Sequence, residues 1–361
     1  MKRLGCGIFV VALFLLFIMA EFTFDFSSPS EEEIEIEETY DDEPAIEVIK
    51  EEPEQEQVMN YESTSFTLDK LLEEKATKLI EELGAPDRKD PSLYGYEWWV
   101  YDLGEDGYIQ AGVENNKVVT VFAIGPHVPS EPFISGTSRE DIEEYVDMEH
   151  HVSVEANRSS YRFELETNEF KTHPLVSFNG HWAQLYFDSF TNKLSSVRFL
   201  TTDVLLKKRP YSLTYRGTLP EVEEPSLEQW KAIEEGAEQQ VLDITNAIRL
   251  LHEMDPLQWD AKVAKVAYRH SEDMNVNNYF SHVSPTKGEL GDRLDEGEVK
   301  YQIAGENIAA NYVDSIAAVE GWLNSEGHRK NLLSEEFTHL GVGVHEAYYT
   351  QNFMTPWPTL P

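Results

Sequence analysis

Hydrophobic positions fall into three regimes along the chain. Residues 4–20 are an apolar run behind Lys2 and Arg3, residues 27–63 are Glu-rich and nearly free of aromatics, and from Leu68 onward apolar residues recur at helical or strand spacing. A positive start followed by a hydrophobic segment predicts an export signal or a membrane anchor over residues 1–26. The run is near the lower limit for crossing a bilayer and no clean small-x-small cleavage site follows it, so both readings stand. Either one puts the rest of the chain outside the cytoplasm, secreted or anchored to the outer face of the membrane.

The periodic part divides in two. Leu68, Leu71, Leu72, Ala76, Leu79 and Leu83 share a helical face that Gly84 and Pro86 end, which predicts one helix there. Strand patterns follow at 94–101, 108–113 and 117–124, the last two flanking a Glu114-Asn115-Asn116 turn. Thr137 and Glu140 have the spacing of a capping box for a short helix, and further strands are expected at 161–166, 183–188 and 195–200. Two segments, YIQAGVENNKVVTVF and WAQLYFDSFTNKLSSVRF, both read as strand, Asn-Lys turn, strand. Residues 64–210 are therefore an α+β domain, with the echo pointing to two related halves. Its aromatic run (Tyr94, Tyr96, Trp98, Trp99, Tyr101) reads as a strand packed on both faces, or else as a sugar-stacking platform.

Residues 211–225, rich in Pro and Glu, read as a linker. Beyond it, Ser226 and Gln229 form a capping box for a long helix with Val241, Ile244, Ile248 and Leu251 on one face. Asp260 can cap a second helix, which buries His270 as a core histidine, and Asp314 a third, ending near Ser325. Gly288, Gly291 and Gly297 mark a loop-rich stretch, Gly327-His328-Arg329 a turn, and residues 342–353 closing strands.

Charge and cysteine content narrow the function classes. The formal net charge is −38, and residues 31–56 hold fourteen Asp and Glu against Lys50 alone. Such a surface repels nucleic acid phosphates and anionic lipid headgroups, so neither is a partner by electrostatics. The acidic segment is an extended, solvated spacer. A single cysteine, Cys6, excludes an internal disulfide and a thiolate zinc site. His127, His150, His151, His173 and His181 share no motif.

The candidate chemistry lies between Tyr279 and Asn331. His282, Glu306 and His328 sit more than twenty residues apart, beside Ser281, Gly305 and Gly327, and no local spacing joins them. Only a fold can bring them together. Two neutral imidazoles and one carboxylate can hold a divalent ion, most naturally zinc, with an open water position. Without metal, Glu306 could be a general base. Alternatively, the groups hydrogen-bond one another and pin helices to a sheet.

Residues 239–353 resemble a bacterial member of the CAP superfamily (cysteine-rich secretory proteins, antigen 5 and pathogenesis-related proteins, also called SCP-like). The matching pieces include Asn246-Ala247-Ile248-Arg249, Pro256-Leu257-Gln258-Trp259-Asp260, Phe280-Ser281-His282, Gly305-Glu306-Asn307-Ile308-Ala309 and Gly327-His328-Arg329-Lys330-Asn331. Residues 68–210 are similar to the domain found ahead of such modules. The resemblance implies a three-layer α-β-α sandwich with a cleft bearing a His-Glu-Glu-His tetrad. Carried over, the tetrad falls on His282, Glu306 and His328, with Ser325 where the second glutamate is expected, and Glu326 beside it pointing elsewhere. His282, Glu306, Ser325 and His328 are then the cleft residues, and His282 and His328 the metal ligands.

The expected function is a non-enzymatic module of the bacterial cell envelope, binding a small or lipidic ligand or a wall component, with zinc or another divalent cation as possible cofactor. One alternative is a metal-dependent hydrolase of peptide or envelope polymer, with Glu306 as base, although no serine or cysteine nucleophile elbow is visible. Another makes the N-terminal domain the partner-binding part and the CAP module a scaffold.

Overall fold

Trp98 and Trp99 are neighbours in sequence yet bury on opposite faces of one sheet, and this split organises the molecule. The computed structural model describes residues 66–357, so the apolar run and the whole acidic spacer lie outside the described residues. The strands are β1 (Arg88–Pro91), β2 (Glu97–Asp102), β3 (Tyr108–Glu114), β4 (Lys117–Ile124), β5 (His151–Ala156), β6 (Ser159–Glu164) and β7 (Leu175–Phe178), followed by β8 (His181–Asp188), β9 (Lys193–Leu200), β10 (Ser212–Arg216), β11 (Gln258–Trp259), β12 (Tyr301–Ala310), β13 (His339–His345) and β14 (Tyr348–Pro356). The helices are α1 (Ala76–Leu83), α2 (Arg139–Glu143), α3 (Thr167–Thr172), α4 (Thr202–Lys208), α5 (Leu227–Leu251), α6 (Ala261–Val276), α7 (Leu290–Glu296), α8 (Ser315–Leu323) and α9 (Glu326–Leu332).

The N-terminal part is built on an antiparallel seven-stranded sheet of order β1-β2-β3-β4-β9-β8-β7. The repeated sequence pattern is visible in it. Hairpins β3–β4 and β8–β9 meet back to back through β4 and β9, and each carries one register shift, at Gly112/Val113 and at Tyr186/Phe187. The first hairpin turns through Asn115 and Asn116, at φ 49° and 63°, the left-handed region that asparagine tolerates. Residues of the aromatic run are at most 9% exposed, so it is core and not a stacking platform. Trp98 and Val100 pack with the C-terminal helices, while Trp99 and Tyr101 join Leu68, Leu71, Ala76 and Leu79 on the other side.

Three expectations change here. The helix expected over 68–83 is a 3₁₀ turn (Leu68–Leu71) and α1, separated where Glu73 takes φ 65° and Lys75 bridges to Lys117. The short helix is capped by Ser138, not Thr137, because the Thr137 carbonyl accepts from Leu194 N. The linker is shorter than its composition suggests. Its first half is β10, an edge strand on β6 in a separate three-stranded sheet, joined by backbone hydrogen bonds that Pro and Glu content does not reveal.

The C-terminal part is a three-layer sandwich. Its four-stranded sheet has order β11-β13-β14-β12, with α6 on one face and α5 and α8 on the other. Strand β13 shows why the layers close. Leu340, Val342 and Val344 bury in the core that α5 and α8 share, while the alternate residues Gly341 and Gly343 lie under α6. A Cβ on Gly343 would fall 1.8 Å from Tyr268 N, and one on Gly341 2.1 Å from Ala264 N, so any side chain would push the helix off the sheet. The three caps expected for the long helices are present at Ser226, Asp260 and Asp314.

The two parts belong to one compact unit and share one core, in which Tyr96, Trp98, Phe122 and Tyr186 pack with Val241, Ile244 and Val319. Polar ties cross the same boundary. Arg88 pairs with Asp243 at 2.8 Å, and Arg329 forms a two-point ion pair with Asp188 at 2.9 and 2.8 Å.

Replacing Gly343 with Ala is expected to destabilise the protein by about 3 kcal/mol through overpacking. Gly327→Ala, at a helical site with open space around it, is expected to be neutral or stabilising by less than about 1 kcal/mol. Denaturant midpoints of the two variants check the contrast, and equal midpoints would refute the close helix–sheet contact.

Candidate functional site

Edge strand β12 carries Gly305, Glu306 and Asn307, and its alternation sends successive side chains to opposite faces. Glu306 turns toward α6 and α7, and Asn307 toward α9. Only 8% of Glu306 is exposed, and both its oxygens are engaged. Oε1 accepts from His282 Nδ1 at 2.9 Å and lies 3.9 Å from His270 Nε2. Oε2 is paired with the Arg293 guanidinium, which also donates to the carbonyls of His282 (2.8 Å) and Gly288 (3.0 Å). Arg293 thus neutralises Glu306 and fixes the loop that carries His282. That imidazole stays more than half exposed.

His270 lies behind this pair. Its Nε2 faces the Ser281 carbonyl at 3.1 Å, and its Nδ1 is buried without a partner among the described residues. Burial pulls His270 below the ordinary histidine range; Glu306 opposes the shift and Arg293 adds to it. It is the core histidine that its helical position indicates, but it also backs the site.

On the other face, Ser325 is the N-cap residue of α9, and its Oγ bonds His328 Nδ1 at 2.8 Å instead of a backbone N–H. His328 is held below the ordinary range first by burial and then by the charge of His282. The four residues singled out from the sequence therefore come together as two pairs, His282–Glu306 and Ser325–His328. Glu326 is exposed and pairs with Lys330 at 2.8 Å.

Two local expectations are corrected. Gly327-His328-Arg329 is not a turn but the first part of α9, because Ser325 starts a new helix straight after α8. The stretch expected to be loop holds α7, opened by a reciprocal cap between Glu289 and Asp292, and this short helix delivers Arg293. The cap was the available signal, masked by three glycines.

Sequence reasoning also left the roles of Asn307, Asn331 and Gln351 open. Asn307 Nδ2 donates to the His328 carbonyl (3.1 Å) and to Gln351 Oε1 (3.2 Å), and Asn331 Nδ2 donates to Asn307 Oδ1 (3.0 Å) and the Glu306 carbonyl (3.1 Å). This amide network ties α9 to β12.

The donor set does not fit a resident zinc. Both oxygens of Glu306 are taken, so the expected set of two imidazoles and a carboxylate is not assembled. Among the described residues, no group of three or more His, Cys, Asp or Glu side chains is arranged to hold a metal ion. What is present is two imidazoles with Nδ1 engaged from behind and no hydrogen-bond partner for Nε2 among the described residues.

Comparison with known proteins supports the fold and the order of the two parts. A family model described as CAP-associated N-terminal matches residues 72–211, and one described as the cysteine-rich secretory protein family matches residues 242–355. The uncharacterized membrane protein YlbC of Bacillus subtilis is 51% identical over 282 residues, covering 78% of this chain and 82% of its own length. An extracellular protein of Bacillus anthracis containing an SCP domain superposes with a TM-score of 0.78 at 46% identity, covering 84% of this chain and 99% of that one. A cysteine-rich secretory protein of Staphylococcus aureus gives 0.72 at 25% identity, covering 81% and 94%.

Arg293→Met leaves the Glu306 charge buried without its counter-ion, and a loss of about 3–5 kcal/mol is expected in denaturant unfolding. With the cation gone, the His270 titration followed by NMR should move upward. An unchanged unfolding midpoint would show that Arg293 does not balance Glu306.

Proposed function

Because the chain belongs to the cysteine-rich secretory protein family, with a CAP-associated N-terminal domain ahead of the family domain, we propose that it is an extracytoplasmic module of the bacterial cell envelope that binds a small ligand, a lipid or a wall component between His282 and His328. The paired imidazoles carry this reading. Each has Nδ1 held by a neighbour, Glu306 or Ser325, which leaves Nε2 to meet a ligand. The apolar run behind Lys2 and Arg3 supports export, as do the descriptions of two relatives as a membrane protein and as an extracellular protein. Among the described residues, no helix is long and apolar enough to cross a membrane.

Binding is favoured over hydrolysis by the state of Glu306. A carboxylate held in a buried ion pair is a poor proton acceptor, and Ser325 supplies no second carboxylate. A divalent cation enters this reading only as a guest, with two imidazoles as protein donors and the ligand or water supplying the rest. The N-terminal domain serves in it as the support of the α8–α9 corner.

The full chain is expected to sediment with purified cell-wall sacculi. In the His282→Ala/His328→Ala variant, affinity should drop about tenfold or more while the unfolding midpoint changes little. Sedimentation with phosphatidylglycerol vesicles that the same variant loses would instead assign a lipidic ligand, because the apolar run acts equally in both proteins. Equal binding by the variant and the wild type would remove the cleft from the proposal. Zinc calorimetry on the same two proteins tests the guest cation: no heat in the wild type rules it out.

A further inference from the structure

A cavity lies between the two parts of the molecule. It has a volume of about 380 Å³, within the range of small-molecule sites, and its walls include Asn168, Glu169 and His173 from the N-terminal part and Tyr312, Glu320 and Ser325 from the C-terminal part. Ser325 is thus shared with the histidine pair, but His282 and His328 do not line this space.

Glu320 is the telling residue. It is 2% exposed, and its Oε1 accepts from the hydroxyls of Ser195 (3.0 Å) and Ser196 (2.5 Å). Its Oε2 is buried with no partner among the described residues. Burial raises the Glu320 carboxyl to about 7, against the two serine hydrogen bonds, so the carboxylate lacks a counter-charge. None of the lining residues is Lys or Arg, while Glu169 adds a second carboxyl, also raised by burial. An anionic ligand would find no cation here, and a cationic one would supply what Glu320 lacks. The rest of the wall suits a polar molecule: the Asn168 amide, the Tyr312 hydroxyl and the His173 ring, which is stacked with Tyr186 and Tyr211 at centroid distances of 6.1 and 5.5 Å.

We propose that this interdomain cavity is a second ligand site, taking a small hydroxylated molecule that carries an ammonium group, with Glu320 as its counter-ion. The site shares Ser325 with the histidine pair but neither imidazole, and its occupant would rest against both parts of the molecule at once.

A matched series tests the charge requirement on the full chain by calorimetry: N-methylglucamine, a polyol with an ammonium; sorbitol, the same polyol without it; and gluconate, with a carboxylate. N-methylglucamine is expected to bind at least about tenfold more tightly than sorbitol, and gluconate not at all. Glu320→Gln keeps an acceptor for the serines and should weaken N-methylglucamine about tenfold. Ala317→Phe, which fills the cavity from its α8 wall, should abolish binding. His282→Ala alone, which keeps the Ser325–His328 bond, should leave it unchanged, which separates this site from the histidine pair. Equal binding of the three polyols, no saturable binding of N-methylglucamine, or full affinity in Glu320→Gln and Ala317→Phe would each overturn the proposal.

Discussion

The arrangement depends on one largely buried carboxylate where the two parts of the chain meet. Asp314 caps α8 by accepting from Ala317 N at 3.1 Å, and it is paired with Arg198 and Lys208 of the N-terminal part. Burial alone would push its carboxyl up, but the two cations outweigh that and hold it well below the usual carboxylate range. The pairing leaves a surplus of positive charge, and the structure spreads it over rings. Lys208 sits 3.8 Å from the centre of the Tyr94 ring, and burial pulls its ammonium down. Arg198 still has Nε and Nη1 buried without partners among the described residues. Removing either side of such a group strands a charge in the interior, at a cost of about 3–5 kcal/mol, so the entry of α8 has little freedom to move.

That constraint reaches the cleft through a short, stiff path. Helix α8 runs from its cap at Asp314 to Leu323, and the corner after it is bound again to the N-terminal sheet. Asn324 accepts from Ser189 N (2.8 Å) and donates to the Phe187 carbonyl (3.0 Å), while Arg329 grips Asp188. Ser325 and His328 are therefore held in place by the neighbouring domain as much as by their own. The other half of the site is fixed differently. His282 sits on a loop whose backbone is tied by Arg293, itself locked to Glu306. One imidazole is positioned by an internal ion pair and the other by an interdomain seam, so a disturbance at the seam would move one histidine relative to the other.

What the sequence disclosed follows the range of each interaction. Caps act over two or three residues, so Ser226 with Gln229, Asp260 and Asp314 were legible, as were the asparagine turn at 115–116 and the hairpin echo around it. The family pattern pointed to His282, Glu306, Ser325 and His328 because their types and order are specific. It did not reveal the Arg293–Glu306 pairing, which spans thirteen residues and depends on how α7 packs against β12. Nor could composition show that residues 212–216 join a sheet, or that the aromatic strand unites two domains in one core.

The serine at position 325 fits this charge pattern. Glu306 and Arg293 cancel, Ser325 adds no charge, and burial disfavours a proton on His328, so the pair of imidazoles sits in locally neutral surroundings on a chain of net charge −38. The folded state thus resists protonation at His328 and His270. Their unfolded forms take up protons near pH 6.5, so below that value the unfolded chain binds more protons and the contribution of these residues to stability falls as the pH drops. At neutral pH His328 is therefore kept uncharged, and its Nε2 has no hydrogen-bond partner among the described residues. A second glutamate in place of Ser325 would draw a proton onto His328 and remove that acceptor. The neutral hydroxyl preserves it, as the proposed binding of a hydrogen-bond donor or a cation between the two rings requires.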